Sequence, residues 1–190
     1  MMNRNRIGLL ALALTLGAAP VAAQMGAAAK SLQQYQIDDL KELKDQFVSL
    51  ANVFPQDKWD WRPMEVAQGL TPVRSPREVL ILIVTEGNSF PVQWGAPAAA
   101  GVDPDRAKEA ARLQAMSKAE LSAAAGKAFD NIIAVVQGMD EAARAKEVRF
   151  FGQPARTEIA IQMALSDMHE HMGQFIAYAR TNKTIPPWSK

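Results

Sequence analysis

The sequence predicts an all-α domain built as a four-helix bundle, and three observations support this prediction. Apolar residues recur every three or four positions in four long segments, which is the period of an amphipathic helix. Two of these segments begin with the Ser-x-x-Glu pattern of a capping box. Cysteine is absent from all 190 residues, so the domain must be stabilised by packing rather than by disulfides.

The first 23 residues are typical of a secretory signal peptide. Arg4 and Arg6 form a basic start, residues 7–16 are apolar, and small residues at 21–23 precede the expected cleavage site before Gln24. The apolar stretch is shorter than the roughly 20 residues of a membrane-spanning helix. An uncleaved N-terminal anchor is the alternative interpretation.

Residues 24–190 are predicted to form one domain, exported to the periplasm or secreted, that is not an integral membrane protein after cleavage. Two of the 21 basic residues lie in the signal, so this domain carries 19 basic and 20 acidic residues and a net charge of −1. Such a balance gives no electrostatic footprint for nucleic acid. The lack of cysteine also excludes thiol nucleophiles and zinc–thiolate sites.

The first two predicted helices have clear boundaries. The first covers about residues 31–53, and Pro55 ends it. The second begins at Ser75, where Glu78 completes a capping box, and it ends near residue 94.

The third predicted helix follows a second capping box at Ser117 and ends around Gly138. Residues 140–154 are expected to form a polar connection, because the short run 148–151 has no partner with matching strand alternation. The fourth helix is predicted over about residues 156–181. Four such helices in a domain of this length indicate a bundle.

The fourth helix carries the residues that best suggest chemistry. At about 100° per residue, four polar side chains fall on one stripe that would normally face the core: Asp167, His171, Gln174 and Tyr178. His169 lies on nearly the opposite side, so the two histidines cannot easily hold one ion. Asp167 and His171, spaced i and i+4, can.

Polar groups on a core stripe need partners, and two explanations are open. The side chains either hydrogen bond to one another or face a wet crevice, or they bind a metal or another ligand. Glu86 of the second helix has the same two interpretations. It is either an exposed acid near the helix end or a third group that points into the bundle near Asp167 and His171.

Four segments, in order along the chain, resemble the DinB-like (DinB/YfiT-like) superfamily and its exported bacterial branch. Residues 54–63 (FPQDKWDWRP) match its inter-helix turn, and residues 73–80 (VRSPREVL) match the start of its second helix. Residues 165–174 (LSDMHEHMGQ) match its fourth helix, and residues 178–189 match its ending. The resemblance covers nearly all of the predicted mature chain.

The resemblance implies an up-and-down four-helix bundle. Many members hold a divalent metal, usually zinc or nickel, through one histidine of the second helix and two of the fourth. The matching positions here are Leu82, Asp167 and His171, so the usual triad is broken. Members with known chemistry transfer thiols or open small substrates with a metal-activated nucleophile.

Two functions follow as alternatives, and neither assigns a catalytic residue or a substrate. The favoured one is a metal-free bundle, without a cofactor, that binds a small molecule or a partner protein in a crevice lined by Leu82, Gln174 and Tyr178. Under this function, we expect that Glu86 does not reach back to the family position at Leu82, which lies one helical turn, or about 6 Å, away. We also expect Asp167 and His171 to form a hydrogen-bonded pair. The alternative is a divalent-metal-dependent hydrolase or transferase that uses Glu86, Asp167 and His171. Both leave a homodimer open.

Overall fold

The computed structural model describes residues 29–64 and 73–189, and the described residues from Ser31 onwards form one compact unit. The predicted signal peptide lies outside the described residues. The described part contains six α-helices and one two-stranded sheet: α1 (Leu32–Val53), α2 (Pro76–Gln93), α3 (Arg106–Ala115), α4 (Lys118–Gly138), α5 (Glu141–Ala145), β1 (Glu147–Phe150), β2 (Gln153–Arg156) and α6 (Thr157–Thr181). None of these helices combines the length and the apolar character that crossing a bilayer requires.

Three of the four long helices begin at a capping serine, and α6 begins after Arg156 without a side-chain cap. The Ser31 hydroxyl accepts the backbone N–H of the third residue of α1. At the start of α2, Ser75 and Glu78 bond to each other's backbone, and Ser117 and Glu120 do the same for α4. Each box satisfies amide groups that the first helical turn leaves without partners. The predicted starts are therefore accurate to within one residue.

The four long helices surround one apolar core. Helix α1 packs along α4 and α6, and α2 packs along the same two helices. Within the described residues α1 and α2 therefore face each other diagonally. The up-and-down order implied by the resemblance differs from this, because that order makes consecutive helices neighbours.

Aromatic side chains fill the core between α1 and α6. The ring of Phe175 lies 5.5 Å from that of Phe54 and 6.2 Å from that of Trp59, and Phe47 stacks on it from the other side at 6.0 Å. All four side chains are buried. Offset and edge-to-face pairs at these distances add to the stability that their buried area provides.

The connection after α4 is more ordered than the sequence predicts. It contains the short helix α5, and β1 pairs with β2 in an antiparallel hairpin. The turn is made by Phe151 and Gly152, which both have positive φ (45° and 77°). Phenylalanine is unusual at such a turn, where asparagine, aspartate or glycine is the usual residue. The sequence therefore does not predict the hairpin. Buried Phe150 anchors it, with its ring 5.0 Å from that of Phe90 in α2.

Candidate metal site

Helix α6 presents its two histidines to opposite sides, as its period predicts. The His171 side chain is 12% exposed and faces inward, with Asp167 one turn before it at 26% exposure. The His169 side chain is 50% exposed, and its Nε2 lies 2.8 Å from Oδ1 of Asp39 on α1. His169 is therefore a surface residue that ties α6 to α1, and His171 is the histidine available to a site.

Helix α2 brings Glu86 to the same place. Glu86 is only 8% exposed, and its Oε1 lies 3.8 Å from Nε2 of His171. Oδ1 of Asp167 lies 3.8 Å from the same nitrogen, and one ligand atom from each of the three residues lies within 4.8 Å of the others. The expectation that Glu86 does not reach the stripe was wrong. The expected hydrogen bond between Asp167 and His171 is also not formed, since 3.8 Å is too long.

The position of Glu86 is set by the next residue, which packs α2 against α4. Gly87 lies so close to α4 that a Cβ on it would be 2.9 Å from Cβ of Ala128. Pro91, one turn later, has no N–H to donate to the Gly87 carbonyl. That carbonyl accepts a hydrogen bond from Nδ2 of Asn131 at 3.3 Å instead. With one side of α2 pressed onto α4, the neighbouring Glu86 is directed towards α6.

The Glu86 carboxyl is in an unfavourable environment for a negative charge. Burial, the negative charge of Asp167 and a side-chain hydrogen bond with Asp167 together raise its pKa to about 9, and the positive charge of Arg74 opposes this rise. Its Oε2 is buried without a hydrogen-bond partner. Buried carboxyl groups are normally paired, hydrogen bonded or bound to a metal. A protonated Glu86 can share its proton with Asp167, whereas an ionised Glu86 has no donor to Oε2 among the described residues.

The three residues suit a divalent ion. One imidazole nitrogen and two carboxylate oxygens form a ligand set that several divalent ions accept. Two carboxylates would balance the charge of such an ion, and an ion would supply the partner that Oε2 of Glu86 lacks. Ligands that share one ion at about 2.1 Å lie somewhat closer together than the three groups do here, so small side-chain rotations would be needed.

The other predicted residues lie on the same two helices as this group. Leu82 lies one turn before Glu86 and is half-buried, so a leucine occupies the position where the resemblance implies a histidine. Gln174 donates a hydrogen bond from Nε2 to the hydroxyl of Tyr178 at 2.7 Å. The sequence did not indicate that Trp61 would join them, with its ring 5.5 Å from that of Tyr178. Such contacts between distant segments leave no local pattern in the sequence.

Comparison with solved structures shows the fold. The chain is similar to a DinB-like protein (YjoA) from Bacillus subtilis, with a TM-score of 0.58 and 16% sequence identity. The similarity covers 80% of this chain and 93% of that one. A scan against family models and a search of curated proteins found no match. The DinB-like fold predicted from the four sequence segments is therefore confirmed at the level of structure.

Proposed function

We propose that this protein binds a divalent metal ion through Glu86, Asp167 and His171, in a rearranged version of a DinB-like site. The observation that carries the proposal is the buried Glu86 carboxyl, whose Oε2 has no partner and whose Oε1 lies 3.8 Å from His171. Glu86 replaces the ligand that is lost at Leu82, one helical turn away. Three protein ligands are the usual number for a catalytic ion.

The ligand set favours harder ions than three histidines do. Carboxylates suit manganese better than imidazoles do, and iron(II), zinc and nickel remain compatible with one nitrogen and two oxygens. With both acids ionised and the histidine neutral, the ligands carry a charge of −2, which neutralises the ion. We therefore expect manganese, iron(II), zinc or nickel, and we expect Mn²⁺ to compete better here than at a three-histidine site.

Three protein ligands leave coordination positions for water or a substrate. An ion held this way lowers the pKa of a bound water or polarises a bound substrate group. The Asp167 side chain is 26% exposed, so the group is accessible from one side. We propose a hydrolase or transferase reaction on a small molecule, with the three residues as ligands.

One observation favours the metal-free alternative. With a pKa of about 9, Glu86 carries a proton at neutral pH when no ion is bound. That proton removes the repulsion between Glu86 and Asp167, so the crevice can persist without metal and bind a small molecule or partner directly. The two functions differ in one measurable quantity, which is the affinity for the ion.

Metal titration of tag-free protein tests the proposal. We expect submicromolar binding of one Mn²⁺, Zn²⁺ or Ni²⁺ per chain by calorimetry, and metal in the purified protein by elemental analysis. Glu86→Gln removes one ligand and should weaken binding by at least a hundredfold. Glu170→Gln is the matched control, because Glu170 is an exposed acid on the same helix as His171. Equal binding by the wild type and Glu86→Gln would contradict the proposal and favour the metal-free function.

We also propose that the chain is exported and that residues 24–190 are the mature domain. The support is the basic start, the short apolar stretch and the small residues before Gln24. Mass spectrometry of the protein expressed from the full gene should find Gln24 at or near the N-terminus. A variant without residues 2–23 should stay in the cytoplasm. An intact Met1 on exported protein would instead indicate a retained anchor.

A further inference from the structure

A cavity lies on the outer side of α2, between that helix and the segment that leads into α3. Its volume is about 760 Å³, which is within the range of small-molecule sites in proteins. Mostly polar residues of α2 line one wall, and the opposite wall includes alanine, valine and proline from residues 98–104. The sequence explains the space, because the short alanine side chains of the covering segment cannot fill it.

The covering segment is fixed to α3 by a buried acid. Glu109 is 7% exposed, and its two carboxylate oxygens accept hydrogen bonds from Arg112 at 2.5 and 2.7 Å. Its Oε2 also accepts the backbone N–H of Asp103 at 3.3 Å. Leu113, the other buried residue of α3, anchors this helix in the apolar core. Both the helix and the segment before it are therefore held in place, so the cavity is already formed in the protein alone.

Asn88 provides unused hydrogen-bonding groups in this cavity. Asn88 and Val102 also line a neighbouring cavity of about 370 Å³ on the α4 side, so the half-buried Asn88 side chain lies between the two spaces. In the part of the chain that the structure describes, neither the Asn88 amide nor the hydroxyl of the adjacent Ser89 has a hydrogen-bond partner. The amide therefore offers a donor N–H₂ and an acceptor oxygen side by side.

The charges around the cavity do not favour an ionic ligand. Three charged residues line it, and Glu109 is already neutralised by Arg112. The other two, Asp103 and Arg106, have opposite signs. A carboxylate or an ammonium group would therefore lose its hydration without gaining an uncompensated partner, which costs free energy. An uncharged ligand suits this lining better.

We propose that this cavity binds an uncharged ring molecule that carries an amide or lactam group. The C=O and N–H of such a group match the donor and the acceptor of Asn88, so one side chain makes two hydrogen bonds to it. The ring packs against the apolar residues of the lining, among them Val92 and Val102. The site is separate from the metal group, because no residue belongs to both and Asn88 lies about 200° around α2 from Glu86.

Three ring compounds of similar shape test the inference by NMR titration of isotope-labelled protein. Benzamide carries the amide, acetophenone has a methyl group in place of the N–H₂, and benzoate is charged. We expect benzamide to bind about tenfold more tightly than either, because acetophenone cannot donate to the Asn88 oxygen and benzoate brings an unpaired charge. The side-chain N–H₂ resonances of Asn88 should shift on binding. In Asn88→Leu, benzamide should bind no better than acetophenone.

Gln114→Leu is the matched control, because Gln114 is an exposed amide of α3 outside the cavity, and this variant should bind benzamide like the wild type. Ala99→Leu fills the cavity from the covering segment and should weaken benzamide binding with Asn88 intact, so it decides if Asn88→Leu does not fold. A chelator is present throughout, so the outcome does not depend on metal binding. Benzamide that binds no better than acetophenone, or that binds Ala99→Leu and Asn88→Leu as well as the wild type, contradicts the inference.

Discussion

Helix α2 has two inward sides with different chemistry. On the side that faces α4, Gly87 allows contact so close that one added methyl group would collide with Ala128. On the side that faces α6, one residue earlier, Glu86 places a buried carboxyl beside His171 and a second acid. The α4 side is close-packed around Gly87 and Ala128, whereas on the α6 side a buried carboxyl oxygen has no hydrogen-bond donor.

The difference shows how a fold can support a destabilising group. A buried carboxyl with a raised pKa reduces the stability of the folded state at neutral pH. The close packing of α2 on α4 keeps the helix in place while its other side carries that cost. Perturbed pKa values of this kind cluster at functional sites.

The largest effect is expected on the α6 side, in protein kept free of metal with a chelator. Between the ordinary Glu value of 4.5 and the folded pKa of about 9, folded Glu86 keeps a proton that the unfolded chain has lost. Stability should therefore fall as pH rises through this range. Glu86→Gln should remove the slope and stabilise the protein by up to about 3 kcal/mol at pH 7. Urea unfolding of the wild type and of Glu86→Gln at pH 6, 7 and 8 measures the pH slope and the difference in stability. Equal slopes for the two proteins would contradict the raised pKa of Glu86.

A slightly smaller effect is expected on metal affinity. An ion needs the Glu86 carboxylate, so binding at pH 7 must release about one proton per ion. Affinity should therefore rise about tenfold per pH unit, or about a hundredfold from pH 6 to pH 8. Calorimetry in buffers with different ionisation enthalpies counts the released proton. Binding that releases no proton from this group would mean that Glu86 is not a ligand.

The smallest effect is expected on the α4 side. Gly87→Ala forces a methyl group against Ala128 and should cost about 1–2 kcal/mol, with weaker metal binding because Glu86 moves with the helix. Gly173→Ala is the control: a Cβ there meets no atom within 4 Å, so it should stabilise α6 by up to 1 kcal/mol. Thermal unfolding compares the two. A Gly87→Ala protein as stable as the wild type would show that the close approach does not fix α2.

Much of the fold could be predicted from the sequence because it is encoded locally. Ser75 and Ser117 show where α2 and α4 begin, since a capping box involves residues only three apart. The diagonal placement of α1 and α2 could not be predicted in this way, because it depends on contacts between distant segments. The hairpin was missed because Phe151 takes a turn position that glycine or asparagine usually occupies.

The candidate site was predictable on one helix and not across two. Helical geometry alone places Asp167 and His171 on one stripe and sends His169 to the other side. Whether Glu86 joins them depends on how far α2 is shifted along α6, and sequence spacing within α2 does not contain that shift. The close packing of Gly87 on α4 contributes to that shift.

The hydrogen bond from Asn131 to the Gly87 carbonyl also has a consequence for how the sequence can vary among relatives. The carbonyl is free because Pro91 cannot donate to it, so proline and asparagine act as one unit across two helices. A lineage that lost Asn131 first would leave the carbonyl without that donor, and one that lost Pro91 first would have two donors competing for it. Among relatives of this chain, we therefore expect positions 91 and 131 to change together, and to do so most often where position 87 has also stopped being glycine.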